Sequence, residues 1–208
     1  MRRIAVEVSA ARIEGGKIED TIGSEAPAHK GAVTDMAIPL YDLTVVNFLQ
    51  TLGAVAGFLD KGLAHCTEGN VESGTLVESR LYEDMMPLSF QIVSVVHHSL
   101  GAIEGVKAGV FTPPMEAGPS DYAGLQKLVA DTRQALQQLS PAEVNALEGR
   151  DVAFQLRGRS IPFIAEGFLL SFSIPNFYFH ATTAYDILRN KGVKLGKRDF
   201  LGQLRIKT

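Results

Sequence analysis

The sequence has a single cysteine, Cys66, among its 208 residues. One thiol excludes an internal disulfide and a cysteine-rich zinc cluster, and it points to a reducing, cytoplasmic setting. Charge of one sign is also lacking. Lys and Arg number 20 against 23 Asp and Glu, a net charge of -3. Nucleic acids and acidic membranes bind basic surfaces, so neither is an expected partner. No apolar run reaches the ~18 to 20 residues of a membrane span. There is no Gly-x-Ser-x-Gly elbow, phosphate loop or dinucleotide fingerprint, no His-x-x-His or Glu-x-x-His, and no internal repeat.

What is present is ordinary globular material, with 46% hydrophobic and 21% charged residues, which excludes wholesale disorder. The length suits one domain, or one domain with an appendage. Residues 1–35 read as the appendage. They carry Gly15, Gly16, Gly23, Pro27 and Gly31 and charges of alternating sign, without a sustained helical period. Ile4–Val8 is at most a short strand. Arg2 and Arg3 precede no apolar core, so a signal peptide is not indicated. Met36 stands directly before the patterned part of the chain. The expectation is a loosely packed N-terminal extension over 1–35, a natural start at Met36, and a helical domain over 36–208.

Four long amphipathic helices are expected in that domain. The first runs from Leu43 to Cys66, with Asp42 as N-cap and Val45, Phe48, Leu49, Leu52, Ala56, Leu59 and Leu63 as its apolar stripe. A short helix over Leu76–Tyr82 precedes the second, from Pro87 to Lys107. The third spans Asp121 to Leu139 with Ser120 as N-cap; Ser140-Pro141 closes it and Glu143–Leu147 adds a turn. Over Val152–Phe163 the period changes to two, broken by Arg157-Gly158, which reads as a β-hairpin. The last helix runs from Ala165 to Asn190, with Gly192 where a left-handed cap belongs. The basic tail, Val193–Thr208, reads as a solvated end. The fold class is all-α, an antiparallel four-helix bundle with a hairpin before the last helix.

The chemistry lies in polar residues on apolar faces. At 100° per residue, Leu169, Phe172, Asn176, His180, Thr183 and Ile187 share one face of the last helix. Asn176 and His180 therefore point inward, one turn apart. Pro175 lies in the same helix, frees the carbonyl of Ser171 and implies a kink. On the second helix Asp84, Gln91 and His98 are spaced by seven along one edge of the apolar face. His97 and His65 read as outward. Two readings compete: a satisfied polar network that holds helix register, or a site between the second and last helices. In the second reading His180 and Asn176 are the catalytic candidates, His180 as an acid or base near neutral pH. His98, Gln91, Asp84 and Thr183 are then ligand-binding. If a divalent metal is present, His180 and His98 are its candidate ligands, but no tightly bound cofactor is expected. The aromatic cluster Phe168, Phe172, Phe177, Tyr178 and Phe179 nearly surrounds the last helix, which implies a homodimer through that helix.

Met36 to Gly202 resembles an uncharacterised family within the DinB/YfiT-like four-helix superfamily. The resemblance is carried by Leu40-Tyr41-Asp42-Leu43-Thr44 with Phe48-Leu49, by Arg80-Leu81 through Asp84-Met85 and Pro87-Leu88 to Gln91, by Pro175 through Arg189, and by Gly196 through Gly202. It implies the bundle fold and leaves residues 1–35 outside. Metal-binding members of the superfamily look like three-histidine proteins, with one ligand from the second helix and two from the last at i, i+4. Here that last pair falls on Asn176 and His180, and Gln91 and His98 are the nearest counterparts of the third. The resemblance thus weakens the metal reading. The function it leaves open is small-molecule binding; the alternatives are a divalent-metal-dependent hydrolase or thiol transferase, and a dimeric interaction bundle without chemistry.

Overall fold

The computed structural model describes residues 38–114 and 118–207. The expectations for residues 1–35, including the strand at Ile4–Val8 and the start at Met36, lie outside the described residues. The domain is mostly helical with one small sheet. Its elements are α1 (Leu40–Leu43), α2 (Val45–Gly69), α3 (Gly74–Val77), α4 (Leu88–His97), α5 (Leu100–Ala108), β1 (Val110–Phe111), α6 (Tyr122–Gln137), α7 (Pro141–Asn145), β2 (Asp151–Leu156), β3 (Arg159–Ile164), α8 (Ala165–Phe168), a π-turn (Leu169–Ser173), α9 (Ile174–Asn190) and α10 (Lys197–Leu201).

The long helices bury the faces their period dictates. α4 packs on α9 and α6, and α2 packs on α6 and α9. Phe48 meets Phe177 edge to face at 4.8 Å. Tyr122 is buried and its hydroxyl donates to the Leu59 carbonyl at 2.8 Å, tying α6 to α2. Gly62 makes that approach possible, because a Cβ there would stand 2.2 Å from the Tyr122 hydroxyl.

Several expected boundaries are corrected. The first helix is broken at Thr44, whose hydroxyl donates to the Leu40 carbonyl at 2.6 Å. Asp42 therefore sits inside α1 rather than capping α2. The short helix ends at Val77, and residues 81–85 form turns and bends. The second helix breaks at Ser99, whose hydroxyl donates to the carbonyls of Val95 and Val96. Such local bonds compete with the helical ladder. The cap of α6 is Asp121, which accepts from the Gly124 N–H at 2.6 Å, not Ser120. Ser140 caps the short α7.

The hairpin forms as expected. Arg157 and Gly158 have φ of 48° and 76°, the positive pair that a two-residue hairpin turn requires. β1 adds a third strand parallel to β2, pairing Val110 with Ala153 and Phe111 with Phe154. A two-residue strand has too little pattern to show in a sequence. The tail is also more ordered than a solvated end. Its basic side chains are exposed, yet Val193 and Leu195 are buried, and Lys61 pairs with the half-buried Asp199 of α10 at 2.6 Å.

The stretch Leu40–Gly69 is long and apolar enough to cross a membrane, contrary to the reading of the bare sequence. Uncharged Asn47, Gln50 and Thr51 interrupt the run without lowering its mean hydropathy enough. Half of its most apolar window is buried inside the protein.

Candidate functional site

Packing of α4 along α9 brings Gln91 to His180. Gln91 is buried, and its Nε2 donates to the Met86 carbonyl at 2.9 Å. That bond orients the amide, so the oxygen Oε1 faces His180 Nδ1 at 2.8 Å. An amide oxygen only accepts, so Nδ1 of His180 carries the proton and Nε2 carries a lone pair.

His98 lies beside it. The two imidazoles are nearly parallel, with centroids 5.9 Å apart and planes 13° apart. Ser173, in the π-turn, donates its hydroxyl proton to the His98 carbonyl at 2.9 Å. Its oxygen also stands 3.5 Å from His98 Nδ1, too far for a strong bond. His97, expected to point away, belongs to the cluster instead. Its Nε2 donates to the Thr112 carbonyl at 2.7 Å, and its ring packs 4.4 Å from Phe111. The helix breaks directly after this pair, so β1 and the residue after it come back against His97.

The walls are aromatic. Phe90 meets His180, and Phe111 and Phe172 meet His98, all with centroids within 6 Å. Burial disfavours charge on these imidazoles. It lowers His98 to about 3, with help from the neighbouring His180 and His97. It lowers His180 to about 4, and it lowers His97 against the opposing bond to Thr112. At neutral pH His180 and His98 are therefore uncharged bases rather than cations.

The structure brings together His180, Gln91 and His98 of the expected residues. Asn176 is half-buried, but its Nδ2 donates to the Phe172 carbonyl one turn back, at 2.7 Å. Thr183 points inward and likewise donates to its own helix, at Phe179. Asp84 is exposed in the turn before α4 and joins nothing among the described residues, because the helix starts at Leu88, beyond it. The π-turn accounts for the rest. It directly precedes Pro175, which stands in the first turn of α9, with Ile174 N–H reaching back five residues to Leu169. Its wider turn lets Phe168 and Ser173, five apart, both be buried. Ser173 lies seven residues before His180, so the helical period alone carries it to the same face, although nothing else in the sequence singles it out.

Residues 40–201 match the family described as Domain of unknown function (DUF1993). The chain belongs to this DUF1993 family. Its fold is also similar to the crystal structure of a DinB family member protein from Shewanella denitrificans. The two are 29% identical with a TM-score of 0.72, over 81% of this chain and 95% of that one. DUF1993 is thus an uncharacterised, DinB-like family. No curated protein matches the chain.

The three-histidine metal centre implied by the DinB resemblance does not fit the donors of this DUF1993 chain. Gln91 and His180 bond each other instead of converging on a common point. Asn176 is turned to its own helix. Among the described residues no group of three His, Cys, Asp or Glu side chains is placed to hold an ion.

Proposed function

We propose that this protein binds a small, largely apolar molecule carrying one hydrogen-bond donor, between the second and last long helices of a cytoplasmic, homodimeric, antiparallel four-helix bundle. The observation that carries the reading is the chain from the Met86 carbonyl through Gln91 to His180. It holds the Nε2 lone pair of an uncharged imidazole among aromatic walls. His180 is half-buried, so a hydroxyl or N–H of a ligand can reach that lone pair and donate to it. Such a base also suits proton abstraction from that same donor. Pairing of copies is supported by the apolar side chains that the last helix leaves exposed, Leu170, Tyr178 and Phe179. The cytoplasm is supported by the lone thiol of Cys66, which lies buried and unbridged.

Phenol and anisole are suitable probes, since they share a ring and differ in the donor. Nitrogen-detected NMR of the full chain should show saturable movement of the His180 Nε2 resonance with phenol and none with anisole. His180→Ala should abolish the phenol response. If neither probe saturates, and His180→Ala only destabilises by about 1–3 kcal/mol for the partner left unpaired, the cluster is a register-holding network and the proposal fails. Stoichiometric zinc, nickel or iron in the purified protein, lost in His180→Ala, would put a metal-dependent hydrolase or thiol transferase in its place.

A further inference from the structure

A cavity lies away from the histidines, where the C-terminal tail crosses α2 near Arg133 of α6. Its volume is about 630 Å³, within the range of small-molecule sites. Val46 and Leu49 of α2 and Leu204 and Ile206 of the tail supply apolar walls, and Arg133 of α6 supplies one cation.

The tail is seated rather than draped. Gln50 Nε2 donates to the Leu201 carbonyl at 3.0 Å, and Arg205 donates to Asn47 Oδ1 at 2.7 Å. Gly202 has φ of +63°, and a Cβ there would lie 3.2 Å from the Gln50 carbonyl oxygen. Only glycine combines that backbone conformation with so close an approach.

Arg133 is the anomaly. Its Nε is enclosed yet has no hydrogen-bond partner. The ion pairs of the described residues are Lys61–Asp199, Lys107–Glu143 and Lys127–Asp131, so among the described residues no carboxylate answers the guanidinium. An enclosed donor on a permanent cation is costly without an acceptor. A guanidinium matches a carboxylate through two parallel bonds. Leu204 and Ile206, 54% and 74% exposed, leave an apolar lining open beside that charge.

We propose that this cavity is a binding site for a free aliphatic carboxylate, its head on Arg133 and its chain along Val46, Leu49, Leu204 and Ile206. The site is independent of the histidine cluster. Calorimetric titration of the full chain tests it with octanoate, octanol and acetate. Octanoate should bind saturably, and octanol and acetate at least about tenfold more weakly, since each lacks one half of the match. Arg133→Gln should weaken octanoate by about tenfold or more. Gly202→Ala, which unseats the tail, and Leu204→Asp, which places an exposed charge opposite the ligand's own, should do the same without touching the core. Octanoate should leave the His180 Nε2 resonance unmoved. Equal binding of octanol and octanoate, undiminished binding by Arg133→Gln or by both tail variants, or no saturation at all would overturn the proposal.

Discussion

His98 and His180 are imidazoles that burial keeps uncharged. Burial brings them to about 3 and about 4 in the folded chain, against about 6.5 when unfolded. A base lowered in this way contributes its full share of stability above the unfolded value. That share is lost as pH falls from about 6.5 toward the folded values, by up to about 1.4 kcal/mol per pH unit for each imidazole. Urea unfolding should therefore show lower stability at pH 5 than at pH 7, in a window above the titration of Glu143 and Asp199, whose lysine partners hold them low. His98→Phe should flatten that dependence. An unchanged midpoint between the two pH values would show that the imidazoles are solvated. At this scale the sequence was partly legible. His180, Gln91 and His98 could be picked as polar residues on apolar faces. Asp84 could not be excluded without knowing that α4 starts at Leu88, and Ser173, though on the same helical face as His180, had nothing in the sequence to mark it as the partner of His98.

At the scale of elements, the junction of α2 and α6 rests on Gly62 and Tyr122. A methyl group at Gly62 collides with the Tyr122 hydroxyl, which must then leave the Leu59 carbonyl. Gly62→Ala should cost about 1–3 kcal/mol, the usual range for overpacking a close contact. Tyr122→Phe removes the colliding oxygen along with one buried hydrogen bond, about 1 kcal/mol in itself. The double variant should therefore be more stable than the two losses summed, by about 1 kcal/mol, as contacting residues couple. Chemical denaturation of the four proteins measures this, and strict additivity would place the glycine elsewhere than under the ring. Gly53, Gly57 and Gly62 are legible in the sequence as weak helix formers that permit a close neighbour. Which neighbour each one admits was not.

For the whole molecule, Leu170, Tyr178 and Phe179 remain exposed on the last helix after the core is complete. Large apolar side chains left exposed on one helix are a surface suited to a second copy. Sedimentation should give a dimer at tens of micromolar, roughly the concentration at which a stable interface is filled, and Phe179→Lys should return it to monomer. A wild-type monomer at that concentration would leave the aromatic excess to the fold alone. The excess has an internal use as well. Phe111, Phe154 and Phe163 of the three strands meet Phe168 and Phe172 at the π-turn, so the sheet walls the side of the cluster where His98 lies.

By itself the sequence determined the helical class, the hairpin with its Arg157-Gly158 turn, the family and the inward polarity of the last helix. These follow from local periods, turn stereochemistry and residue patterns that need no partner to be read. Only the tertiary structure decided the rest. The breaks at Thr44 and Ser99 arise where a hydroxyl finds a nearby carbonyl. The pairing of β1 with β2 depends on an element more than forty residues away. The tautomer of His180 depends on an amide 89 positions earlier, and the unanswered guanidinium of Arg133 on where the tail crosses α2. Each of these is set by which groups meet across the fold, and that distance in sequence carries no local pattern.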